Sequence, residues 1–95
     1  MMIKQPIDFT KVEALRKEML LRMTDMAELF AVSRMTYHSW AKGKHIRRSN
    51  DGFVRSMLKK LLAVYTGQGW PSAEVRAMDS KSRAQHLKKL IAELD

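Results

Sequence analysis

The chain is predicted to be all-α, a compact bundle of about five helices, and three observations carry that reading. Apolar residues recur at three- and four-residue spacing in successive segments, most clearly from Phe53 to Tyr65. Residues suited to cap helices, Thr10, Thr24, Ser33 and Ser80 among them, stand just ahead of those segments. No stretch alternates apolar and polar side chains as a strand does, and no internal repeat or low-complexity tract interrupts the pattern.

Residues 1–9 are expected to form an N-terminal arm. Thr10 and Glu13 make a capping box for a first helix over 11–22, whose apolar face holds Val12, Leu15 and Met19, with Leu20 and Met23 at its end. Thr24 can cap a second helix, where Asp25 and Glu28 sit near the positive end of the dipole and Met26, Ala27, Leu29 and Phe30 recur at helical spacing. Ala31 and Val32 make a tight turn. Ser33 then offers its hydroxyl to the orphan amides of a third helix, in which Tyr37 and Trp40, three apart, turn inward while Arg34, Met35, His38 and Ser39 turn outward. Gly43 ends it.

Residues 43–50 form a basic loop anchored by Ile46. Asn50 or Asp51 caps a fourth helix whose stripe of Phe53, Val54, Met57, Leu58, Leu61, Leu62 and Tyr65 closes the core, and Gly67 and Gly69 stop it. Beyond Trp70 a short helical turn over 73–78 precedes a last helix over 81–94, capped by Ser80, with Leu87, Leu90, Ile91 and Leu94 on one face. That stripe either docks on the bundle together with Trp70 or pairs with the same helix of a second subunit. The second arrangement is preferred, which makes 67–95 a dimerising extension to a 10–66 unit.

Ninety-five residues make one domain, too small for two independent cores. There is no cysteine, hence no disulfide or thiolate metal site, in keeping with a reducing cytoplasm. No apolar run reaches the length of a membrane span and residues 1–30 lack the apolar core of a secretory signal, so a cytoplasmic protein without membrane attachment is expected. His38, His45 and His86 do not have metal-ligand spacing, and neither HExxH nor a glycine-rich phosphate loop occurs. Neither catalysis nor a metal or cofactor is expected.

The net charge of +8 is unevenly placed. Residues 1–33 carry five cations and five acids, whereas residues 34–60 carry eight cations (Arg34, Lys42, Lys44, Arg47, Arg48, Arg55, Lys59, Lys60) against Asp51 alone. The surplus therefore begins at the third helix and continues just past it, where a polyanion would lie.

Over 23–43 the chain resembles the helix-turn-helix DNA-binding domains of the lambda repressor and Cro type, common in phage and bacterial regulators. Ala27, Val32, Ser33, Arg34, Thr36 and Trp40 match that pattern: a small residue midway through the first helix, a Val-Ser pair opening the recognition helix, and a Trp followed by a basic residue and glycine. Two positions depart. Ala31 stands where the family usually has a glycine with positive φ, which implies strain of roughly 1 kcal/mol. Tyr37 replaces a β-branched core residue and needs a partner for its hydroxyl or a roomier pocket. The resemblance is loose outside this segment and does not reach the tail.

The resemblance implies a sequence-specific double-stranded DNA-binding transcriptional regulator, most simply a repressor. Ser33, Arg34, Met35, His38 and Ser39 would then read bases in the major groove, Arg34 with its fork on guanine O6 and N7 and Met35 against a thymine methyl. Lys42, Lys44, Arg47 and Arg48 would hold phosphates, with hydroxyl contacts from Thr24 and Thr36. A homodimer on an inverted repeat is expected. The alternative is a small basic interaction module that grips a host factor such as RNA polymerase, with a protein partner held through Trp70 and the C-terminal helix.

Overall fold

Six helices and no strand make up the described residues, 6–94, of the computed structural model, so the all-α expectation holds. They are α1 (Phe9–Glu18), α2 (Met23–Leu29), α3 (Arg34–Ala41), α4 (Arg48–Gly67), α5 (Ala73–Ala77) and α6 (Ser80–Ala92). Residues 1–5 of the expected arm lie outside the described residues, and its last residue, Phe9, is buried as the first of α1.

Among the first three helices, two caps differ from the predicted ones. Asp8, not Thr10, caps α1: its carboxylate accepts the Thr10 N–H at 2.9 Å, which starts the helix early enough to bring Phe9 into the core. Arg22, not Thr24, is the N-cap of α2, because Asp25 reaches back to accept the Arg22 N–H at 2.7 Å and also accepts from Nε and Nη2 of the Arg22 guanidinium. Thr24 is left exposed in the first turn. For α3 the expected cap is present, with Ser33 Oγ accepting the Thr36 N–H at 3.1 Å.

The first three helices end in the same way. Leu20, Ala31 and Gly43 each take a left-handed φ of 61°, 58° and 105°. In each case the next amide bonds back five residues (Leu21 to Arg16, Val32 to Ala27, Lys44 to Ser39), while the left-handed residue's own amide bonds back three. Leu20 therefore ends α1 four residues before the expected boundary. Only the third of these positions carries the glycine that the conformation favours.

Helix α4 begins at Arg48, before the predicted caps, and Asp51 instead pairs one turn on with Arg55 at 2.7 Å. Its buried line is Val54, Leu61 and Val64, whereas Phe53 and Leu62 are 50% and 48% exposed. The predicted stripe was too wide: Phe53 and Leu62 flank the buried line on opposite sides, and Val64 belongs to it. Helix α4 also runs through Gly67, and the chain turns at Gly69, φ 62°. Asp79, rather than Ser80, caps α6 by accepting the Ser82 N–H at 2.8 Å.

Of the two arrangements open to the last stripe, docking on the bundle is the one observed. Trp70, Val75, Leu87 and Ile91 are buried in one cluster with Phe9, Met19, Met26 and Val54, while Leu94 stays 39% exposed. Three successive carbonyls of the α1–α2 turn are each taken by a different side chain. The Trp70 indole donates to Met19 O at 2.8 Å, Arg83 to Leu20 O at 3.2 Å, and Arg16 to Leu21 O at 2.9 Å. Arg83 also donates to the carbonyls of Val75, Arg76 and Met78, and Lys88 pairs with Glu28.

Ala31→Gly should raise stability by about 0.5–1 kcal/mol in urea denaturation, because it relieves a left-handed alanine at a modest entropic cost. Arg83→Ala leaves the carbonyls of both the tail and the α1–α2 turn without their charged donor. The expected loss is about 2 kcal/mol, or ~10 °C in Tm, and Arg83→Lys should not restore it.

Candidate functional site

The rotation of α3 follows from four aromatic rings. Phe9 of α1 and Phe30 at the end of α2 each contact both Tyr37 and Trp40, with ring centroids between 5.8 Å (Phe9–Trp40) and 6.3 Å (Phe30–Trp40). Tyr37 and Trp40 are buried, as their spacing predicted.

The Tyr37 hydroxyl donates to Glu13 Oε2 at 2.6 Å, and Glu13 in turn receives two hydrogen bonds from the Arg16 guanidinium, at 2.7 and 3.0 Å. This is the partner that the tyrosine requires. Burial by itself raises the Glu13 pKa, but the hydrogen bonds from Arg16 and Tyr37 and the Arg16 charge outweigh it and hold the carboxyl below its ordinary range. Burial first, and the bond to the carboxylate second, push the Tyr37 phenol up, so it stays a donor.

With α3 held in that phase, Arg34, Met35 and His38 fall on its outer side. All three are exposed, Met35 at 79%, and among the described residues none makes a side-chain hydrogen bond. The other two predicted base readers are engaged locally. Ser33 Oγ caps the helix and also donates to Thr36 Oγ1 at 2.9 Å, and the half-buried Ser39 donates to Met35 O at 3.1 Å.

Beside this face lies a cleft lined by Ser33, Thr36, Ser39, Lys44 and Arg47, floored by Val32 and Trp40. The turn at Gly43 directs residues 44–47 back towards α3. Lys42 and Lys44 border a neighbouring hollow against Asp8 and Asp51. Arg48 is exposed at the first position of α4, and Thr24 lines neither cleft. His45 and Asn50 also line the first cleft, and neither was among the predicted site residues. The sequence marks His45 only by its position beside Lys44 in the basic loop, and Asn50 reads equally well as a cap.

Ion pairing separates these cations from others in the chain. Arg16, Arg22 and Arg55 pair with Glu13, Asp25 and Asp51, and Lys88 pairs with Glu28. Among the described residues, none of Arg34, Lys42, Lys44, Arg47 and Arg48 makes an ion pair. Five uncompensated positive charges within and just after one short helix favour an extended anion at low and moderate ionic strength. Among the described residues no group of three His, Cys, Asp or Glu side chains could hold a metal, and no helix is long and apolar enough to cross a membrane.

Comparison with family models, with curated proteins and with solved structures finds no match for this chain.

Tyr37→Phe removes a hydrogen bond to a charged acceptor and should cost about 1.5 kcal/mol at pH 7. The Glu13 contribution is fully present above the unfolded carboxyl pKa of about 4.3 and is lost as pH falls through the depressed folded value. Denaturation curves of wild type and Tyr37→Phe should therefore converge as the pH is lowered through this range. A constant gap would place the tyrosine's effect elsewhere.

Proposed function

We propose that this chain is a sequence-specific double-stranded DNA-binding regulator, with α2 and α3 acting as a helix-turn-helix and α3 entering the major groove. The observation that carries the reading is the two-sided character of α3. Its inner face is locked by aromatic rings, while its outer face projects Arg34, Met35 and His38 amid cations that have no acidic partner. A lone polyanion-binding patch would need the charge but not the rigid helix behind it.

In this reading Arg34 recognises guanine through its planar fork, and Met35 offers an apolar contact to a thymine methyl. His38, Ser33 and Ser39 complete the base-facing set. Lys42, Lys44, Arg47 and Arg48 grip phosphates, joined by the hydroxyls of Thr36 and Thr24. One copy spans few base pairs, so a homodimer on an inverted repeat would roughly double the contacts, with half-sites about 34–36 Å apart. Occupation of a promoter and exclusion of polymerase makes the protein a repressor, working in the cytoplasm. Its role is binding, not catalysis.

Selection of bound fragments from a random duplex pool tests recognition, and a gel-shift titration tests affinity. About four neutralised phosphates per subunit give a slope of log affinity against log salt near −3.6. Arg34→Ala should lose about 1–3 kcal/mol on the selected sequence and little on random duplex. Arg47→Ala with Arg48→Ala should weaken every duplex alike and flatten the salt slope. Absence of retention on any duplex at low salt would favour a protein partner for this face.

A further inference from the structure

A second surface stands apart from the cleft beside α3. Helices α1 and α4 leave between them an apolar groove floored by Ile7, Val12, Leu15, Leu58 and Leu62. Leu62 is 48% exposed there, although it belongs to the apolar flank of α4. The groove shares no residue with the cleft formed by Ser33, Thr36, Ser39, Lys44 and Arg47.

Its rim is cationic. Lys11 lies on one side, with Lys59 and Arg55 on the other. Asp8 is the one acidic residue lining it, and its Oδ1 accepts the Thr10 N–H. Arg55 is paired with Asp51, but among the described residues Lys11 and Lys59 make no ion pair. Beyond Leu15 and Leu62 the two helices are bridged where the Tyr65 hydroxyl donates to Glu18, which closes that end.

We propose that this groove docks an acidic amphipathic helix of a partner protein, its apolar stripe on Leu15, Leu58 and Leu62 and its carboxylates on Lys11 and Lys59. The lining runs from Asp8, the cap of α1, to Leu15 and from Arg55 to Leu62 on α4, roughly 10 Å on each side, which suits anchors at i, i+3 or i+4, and i+7. Charge selects the occupant. A second copy of this chain seated face to face on this groove would set the same lysine rim against itself, whereas an acidic helix meets complementary potential. The docking site is independent of what α3 binds.

The test uses the whole chain, isotopically labelled, titrated with a synthetic peptide of about 14 residues carrying leucines at the anchor spacing and glutamates elsewhere. A peptide with lysine in place of every glutamate serves as control. The acidic peptide should shift the amides of Leu15, Leu58 and Leu62, and the basic one should not. Lys11→Glu with Lys59→Glu should weaken binding about tenfold or more, and Leu62→Glu should abolish it with an unchanged melting curve. The proposal is overturned by equal binding of the two peptides, by shifts confined to residues 33–48, or by no binding. It is also overturned if Leu62→Glu abolishes self-association measured by sedimentation while peptide binding persists, because the occupant would then be a second copy.

Discussion

The contact on which the remainder of the molecule depends is the grip of Phe9 and Phe30 on Tyr37 and Trp40. A helix of eight residues has little intrinsic stability in water, so α3 exists because its inner face is packed. Each ring pair adds about 0.5–1.5 kcal/mol beyond area burial, and the Tyr37–Glu13 hydrogen bond adds direction to what would otherwise be a slippery apolar contact. Rotational freedom removed on the inside appears as fixed projection on the outside, where Arg34, Met35 and His38 stand.

Charge is divided between two uses. Within α1, α2 and the tail, arginines work as fasteners: Arg16 ties Glu13 to Leu21, Arg22 satisfies the buried Asp25, and Arg83 gathers four carbonyls. From Arg34 to Arg48 the same residue types are spent on nothing inside the described fold. Uncompensated like charge disfavours the compact state, and the proposed polyanion partner would remove that cost.

The third helix was the most legible part of the sequence. Its Ser33 cap, its inward pair and its Gly43 terminus are all local signals, and the left-handed turn at Ala31 follows from the position the alanine occupies. The caps of α1 and α2 were not, because Asp8 and Thr10, or Arg22 and Thr24, compete within two residues and the choice is made by which phase buries Phe9 and Met26. The phase of α4 was blurred by apolar residues on both flanks of its buried line, and one flank became the α1–α4 groove. Local reasoning left docking of the tail open against pairing with a second subunit, since Trp70 and Arg83 find their acceptors 51 and 63 residues back along the chain.

Those long-range acceptors couple the two ends of the chain. The carbonyls of Met19, Leu20 and Leu21 all have donors only while α1, the Trp70 segment and α6 are in place: losing either of the last two uncovers a carbonyl of the α1–α2 turn, and losing the turn strips Trp70 and Arg83 of acceptors. The first and last helices then belong to a single cooperative unit: their amides should share one exchange lifetime, and a protease should find no nick between α1 and α6 that spares the remainder.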